Sequence, residues 1–262
     1  MPPTGDDLDR WAAAANRLWL FLDYDGTLAD FAPIPERIEP QAEIVELLKQ
    51  LSADPRFRVA VISGRRLEDV RLLLPVPGIF LAGIYGVEIQ TPKGGQIYRA
   101  EYNSIRPILQ ELKSRWEEIV SGRSGFYVED KGLALTLHIP ASGQAGIGRV
   151  LTAARQAVDG NVPSDQFRRF DDGKLLEIAP LQAHKGQAVQ YLLERFPFPA
   201  ARLVYLGDDD RDQEAFEVVH ALGGVAIQVF HLDTPVRFRA ADTTLDSPRA
   251  ARQWLEGLLS ES

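Results

Sequence analysis

The sequence contains no cysteine. That excludes a disulfide framework, a thiolate zinc site and a cysteine nucleophile, and it fits a reducing compartment. Histidine is scarce as well: His138, His184, His220 and His231 have no ligand-like spacing, and all four are read as structural. No apolar run approaches the ~20 residues needed to span a bilayer. The stretch from Met1 to Arg10 is polar and acidic and lacks the charged-then-apolar pattern of a signal peptide. Basic residues are the minority, with 29 Lys and Arg against 37 Asp and Glu, for a net charge of −8. Nucleic-acid binders carry a basic footprint, so neither nucleic acid nor a membrane is expected as a partner. An acidic chain can still take a phosphate, because a bound metal reverses the local sign. A cytoplasmic monomer is the expectation.

What is present is an ordinary globular composition, 45% hydrophobic and 25% charged over 262 residues, enough to bury a core without covalent staples. Short apolar runs alternate with helical periodicity, the pattern of an α/β protein with a parallel sheet. Leu18 to Leu22 reads as a central strand buried on both faces. Val59 to Ile62, Ile79 to Ala82, Leu203 to Leu206 and Val225 to Ile227 read as further strands. Ile44, Val45, Leu47, Leu48 and Leu51 mark one helix face, and a last helix is expected over 247–259.

The middle of the chain follows a different plan. Ile105, Ile108, Leu109, Leu112 and Trp116 stripe a long helix, and Ile147, Val150, Leu151, Ala154 and Val158 stripe another. Between and after them, Phe126 to Val128, Leu133 to His138, Gln166 to Phe170 and Lys174 to Ile178 read as strands, the last two around the turn signal Asp172-Gly173. This gives an α+β unit over residues 100–181, inserted into a doubly wound core formed by residues 1–99 and 182–262.

The chemistry concentrates at strand ends. Asp23-Tyr24-Asp25-Gly26-Thr27 follows the first strand directly, Ser63-Gly64-Arg65 follows the second, and Asp208, Asp209, Asp210 and Asp212 follow the strand ending at Gly207. Open α/β sheets bind ligands beyond the carboxyl ends of their strands. Carboxylates gathered there repel one another and call for a cation or protons, and an all-oxygen donor set suits magnesium. Taken alone, Ser63 reads as a helix cap and Lys185 as a solvated surface charge.

Together these segments resemble the haloacid-dehalogenase-like (HAD) phosphatases. Leu20 to Thr27 is similar to their first motif, Ser63 to the second, Lys185 in His184-Lys185-Gly186 to the third, and Gly207 to Asp212 to the fourth, in order along nearly the whole chain. The resemblance implies a Rossmann-like core with an inserted α+β cap of the C2 type. It also implies a magnesium-dependent phosphomonoester hydrolase. Asp23 would be the nucleophile and Asp25 the general acid and base. Magnesium would be held by the Asp23 carboxylate, the Asp25 carbonyl and Asp208. Asp212 would orient water in the metal's shell, and Ser63 and Lys185 would hold the phosphoryl oxygens, with Gly64 and Arg65 beside the substrate.

A narrower likeness lies in Gly125 to Gly132, Leu135-Thr136-Leu137-His138 and Leu176 to Pro180, which look like the trehalose-6-phosphate phosphatases. That implies a small sugar-phosphate substrate contacted by Glu129, Lys131 and Glu177. The sequence departs from that family where Gly-x-His-Gly becomes Gly83-Ile84-Tyr85-Gly86, and where a threonine and a glutamate become Arg211 and Gln213. Two alternatives stand beside this reading: a phosphatase for another glycosyl phosphate, such as a glucosylglycerol or glycosyl-glycerate phosphate, and a non-catalytic metabolite-binding module on the same scaffold.

Overall fold

The computed structural model describes residues 7–30, 39–140, 146–230 and 237–260; His231 lies outside them. In chain order the elements are α1 (Asp7–Ala13), β1 (Leu18–Leu22), α2 (Ala42–Ala53), β2 (Phe57–Ile62), α3 (Leu67–Leu73), β3 (Phe80–Gly83), a 3-10 turn (Ile84–Gly86), β4 (Glu88–Gln90) and β5 (Gln96–Tyr98). Then come α4 (Tyr102–Val120), β6 (Tyr127–Asp130), β7 (Leu135–His138), α5 (Ile147–Asn161), β8 (Phe167–Asp171) and β9 (Leu175–Pro180). The chain continues with α6 (Lys185–Arg195), β10 (Arg202–Gly207), α7 (Gln213–Ala221), β11 (Val225–Val229), β12 (Thr243–Leu245) and α8 (Pro248–Ser260). Two compact units result, one from Met1–Ile97 with His184–Ser262 and the other from Tyr98–Ala183.

The first unit is built on a sheet ordered β12-β11-β10-β1-β2-β3-β4-β5, parallel from β12 through β3, with β4 antiparallel to β3. Winding runs outward from β1 in both directions, so the strand order reverses between β1 and β10. Residues of a strand alternate between faces, and β1 shows the result. Leu18, Leu20 and Leu22 enter a core with α2, α3 and α8, while Trp19 and Phe21 enter one with α6 and α7. Burial on both faces explains the uninterrupted apolar run. At three residues each, β4, β5 and β12 are too short to show a periodicity, and the sequence reading does not contain them.

The second unit is an antiparallel sheet ordered β6-β7-β9-β8 with α4 and α5. Helix α4 packs on α5, β6 and β7, and the buried Trp116 donates its indole N–H to the Ala154 carbonyl at 3.2 Å. The β8–β9 turn closes as Asp172 accepts the N–H groups of Lys174 and Leu175, with Gly173 in the left-handed region at φ 81°. Strand ends lie within two residues of the positions read in the sequence, because alternation locates a strand better than its termini. Among the described residues, no helix is long and apolar enough to cross a membrane.

Candidate active site

β10, β1 and β2 lie side by side, and the residue following each is polar and buried: Asp208, Asp23 and Ser63. The parallel ladder extends past the strands, with Asp23 N–H donating to the Leu206 carbonyl and Ser63 N–H to the Ala82 carbonyl, both at 2.9 Å. After Asp23 the chain turns tightly. Leu28 and Ala29 donate to the Tyr24 carbonyl at 2.9 Å, and Gly26 takes φ 81°. The turn brings Thr27 back, and its hydroxyl donates to Asp208 Oδ1 at 2.9 Å.

Alternation along β1 gives Asp23 the same parity as Trp19 and Phe21, whose face is covered by α6 and α7. Lys185 opens α6, and its Nζ lies 2.9 Å from Asp23 Oδ1 and 2.6 Å from Asp212 Oδ1. Its side chain is 2% exposed, so it is no surface charge. Asp212 stands just before α7 and accepts four hydrogen bonds, from Lys185 Nζ, Tyr205 Oη and the N–H groups of Asp208 and Asp209. Both of its oxygens are engaged. Gly207 permits this approach, since a Cβ there would stand 2.3 Å from Asp212 Cγ.

The electrostatics follow from crowding. Burial, with Asp208 and Asp209 close by, pushes the Asp23 carboxyl well up against the pull of Lys185. Burial and then Asp212 and Asp209 push Asp208 up to about 8. Burial also works to raise Asp209, but Lys185 and Arg211 outweigh it and hold that carboxyl low. For Lys185, burial disfavours the ammonium, yet Asp212 and Asp23 outweigh burial and raise its pKa well above the usual lysine value. Several carboxylates thus converge on one buried ammonium.

That imbalance is the test of whether a cation fits. Oxygens of Asp23, Asp208 and Asp212 lie within 4.8 Å of one another, and an all-carboxylate set of this size suits magnesium. With both Asp212 oxygens occupied, Asp23 and Asp208 are the side chains able to ligate, and Asp212 orients its neighbours.

Asp25 turns elsewhere. Its two oxygens accept from Arg65 Nε and Nη2, each at 2.7 Å. Ser63 Oγ accepts the Arg65 N–H at 3.1 Å, four residues before α3 begins at Leu67, so Ser63 is not that helix's cap. Gly64 lies between them in the same turn.

In the other unit, Glu129, Thr136 and Glu177 are direct cross-strand partners on β6, β7 and β9. Buried Glu177 Oε2 accepts from Lys131 Nζ at 2.6 Å and from Thr136 Oγ1 at 2.5 Å. Lys131 Nζ lies 3.9 Å from Glu129 Oε2, which pairs with His138 Nε2 at 2.8 Å. Burial raises Glu129, but His138 and Lys131 outweigh it and hold its carboxyl below the usual range. One sheet face therefore gathers all three sequence-predicted residues of this unit.

The sequence reading gave no site role to Thr27, Tyr205, Asp209, Thr136 or His138. Thr27 had a signal, its place in the first acidic motif. Thr136 and His138 had another, since they alternate with Leu135 and Leu137 and must share the polar face of β7. Tyr205 had none, because inside an apolar strand it reads as core.

The trehalose-phosphatase profile matches residues 21–249, from the first strand to the last helix. The chain belongs to the trehalose-phosphatase family. Within it, the trehalose-phosphate phosphatase of Mycobacterium avium is 34% identical over 248 residues, covering 92% of this chain and 62% of the relative. The Mycobacterium ulcerans protein of the same name is 30% identical over 246 residues, covering 92% and 61%. This chain thus spans about three fifths of the length of these curated relatives. Solved structures share the fold. The C-terminal domain of Candida albicans trehalose-6-phosphate phosphatase superposes with a TM-score of 0.81 at 18% identity, covering 99% of this chain and 98% of that one. A trehalose-6-phosphate phosphatase related protein gives 0.76 at 20% identity, covering 92% and 97%.

Proposed function

We propose that this protein hydrolyses trehalose 6-phosphate to trehalose and phosphate through an aspartyl-phosphate intermediate. The observation that carries the reading is the meeting of Asp23, Asp208 and Lys185 in one buried cluster at the switch point of the sheet. Family membership supports the substrate.

In this reading one Asp23 oxygen attacks phosphorus, forming the O–P bond as the ester P–O bond breaks. Lys185 engages the other oxygen, fixing the line of attack. The departing sugar oxygen takes a proton from Asp25, which must first release a bond to Arg65. Water then attacks the aspartyl phosphate, Asp25 takes its proton, and phosphate leaves with Asp23 restored. Ser63 Oγ accepts from Arg65 N–H, which leaves the hydroxyl proton for a phosphoryl oxygen. Lys185 supplies positive charge where negative charge gathers. Magnesium bound by Asp23, Asp208 and the Asp25 carbonyl would supply charge that draws the carboxylates back to their ionised forms. The unit Tyr98–Ala183 is the cap, and Glu129, Lys131 and Glu177 hold the sugar.

The test is phosphate release from trehalose 6-phosphate, a panel of other glycosyl phosphates and a small aryl phosphate, with magnesium and with chelator. Wild type is expected to prefer trehalose 6-phosphate and to need the metal, and Asp23→Asn to be inactive yet folded. Turnover by Asp23→Asn above a small fraction of wild type would overturn the covalent route. A preference for another glycosyl phosphate would overturn the substrate.

A further inference from the structure

Tyr85 and Arg211 touch one another. The Arg211 guanidinium carbon lies 5.3 Å from the centre of the Tyr85 ring, within the range of a cation–π contact. The same guanidinium lies 3.4 Å from Asp209 Oδ2. Asp209 Oδ1 in turn accepts the N–H groups of Arg211 and Asp212. Each residue supplies the other's partner: the ring gives the cation a face, and the cation gives the ring a charge to meet.

Tyr85 is held in place by strained backbone. Ile84 and Tyr85 take φ 48° and 54° in succession, a region that bulky and β-branched residues avoid. Such strain persists only where the surroundings over-determine it, and it gathers at functional sites. Here the surroundings are the Ser63 turn, with Ile84 N–H donating to the Arg65 carbonyl at 2.7 Å and Tyr85 N–H to the Ser63 carbonyl at 2.8 Å. A Cβ built on Gly64 would stand 2.7 Å from the Tyr85 ring, so the ring rests directly on that turn. One buried side chain thus joins the turn after β2 to the acidic loop after β10, the two segments flanking Asp23.

We propose that Tyr85 and Arg211 form a coupled pair of positioning residues. The ring seats the guanidinium, the guanidinium seats Asp209, and the loop presenting Asp208 and Asp212 is tied to the turn presenting Ser63. The pair's bearing on catalysis rests on the phosphatase reading above; its coupling does not.

The experiment is a double-mutant cycle with Tyr85→Asn, Arg211→Thr and the double variant, alongside Tyr85→Phe. Asparagine tolerates the left-handed backbone but removes the ring, and phenylalanine keeps the ring. Two readouts need no substrate: amide exchange of residues 208–212 in chelator, and magnesium binding by calorimetry. Each single variant is expected to speed that exchange and weaken magnesium binding about fivefold, the weight of one cation–π contact. The double variant should lose no more than either single one, and Tyr85→Phe should match wild type in both readouts. Losses that multiply in the double variant would overturn the proposal, as would a Tyr85→Phe as impaired as Tyr85→Asn. Should Tyr85→Asn not fold, Arg211→Thr with unchanged exchange at 208–212 overturns it too. If wild type released no phosphate, the functional reading would fall while the exchange data still judged the pair.

Discussion

Arg65 grips Asp25 with two parallel hydrogen bonds, Nε to Oδ2 and Nη2 to Oδ1, each 2.7 Å long. A fork of this kind fixes the plane of the carboxylate as well as its distance. Asp25 is therefore aimed by a residue that itself belongs to the turn carrying Ser63. Arg65→Gln is expected to lower kcat/KM about tenfold by letting Asp25 wander. Arg65→Lys should recover only part of that, since an ammonium cannot form the fork. Steady-state kinetics on an aryl phosphate decide it; an unimpaired Arg65→Gln would mean that Asp25 needs no such aim.

Among the described residues, Lys185 is the one ammonium bonded to both Asp23 and Asp212. Removing it leaves buried carboxylates without their counter-charge, a loss that typically costs about 3–5 kcal/mol. Lys185→Ala should therefore unfold at markedly lower urea in chelator, and adding Asp212→Asn should restore part of the midpoint. Equal midpoints for wild type and Lys185→Ala would show that the cluster is neutralised in some other way.

Substrate recognition should separate from chemistry in the second unit. Glu129→Ala and Lys131→Ala remove charged hydrogen-bonding groups, worth ~1.5–3 kcal/mol each, or roughly ten- to a hundredfold. If those groups hold the sugar as proposed, the loss should appear in kcat/KM for trehalose 6-phosphate and be absent for a small aryl phosphate. Equal losses on both substrates would assign the residues to the fold.

The Arg106 guanidinium holds the Asp130 carboxyl well below the usual carboxylate range, through bonds of 2.6 and 2.7 Å. A depressed pKa in the folded state stabilises above the unfolded value of about 4 and loses that contribution as pH falls through the folded value. The Tm of wild type should fall more steeply than that of Arg106→Gln between about pH 5 and about pH 3. Parallel curves would show that this pair contributes nothing in that window.

Legibility in the sequence tracked how local each signal was. Asp23, Ser63 and Asp208 stood out because each directly follows an apolar run, and parallel strands bring such ends to one edge. Lys185 needed the family resemblance, since nothing local distinguishes a buried lysine at a helix start from a solvated one. The Asp25–Arg65 clasp was invisible, because side-chain aim in a turn depends on dihedrals that residue types do not fix. The same holds for Tyr85 and Arg211, whose contact joins loops far apart in sequence. In the second unit, alternation along β7 located Leu135 and Leu137 as core, and the same period read one residue over would have flagged Thr136 and His138.

The pairing of β1 with β10 carries a consequence for how the chain comes into being. Leu18 to Leu22 find their partners only at Arg202 to Leu206, with the whole inserted unit between them. During synthesis the second central strand emerges only after the inserted unit, so Asp23 waits without Lys185, Asp208 or Asp212 while the intervening residues are made. Contacts between such distant segments form slowly. A nascent chain stalled before β10 would carry the leading acidic motif without Asp208, its proposed partner in holding a cation.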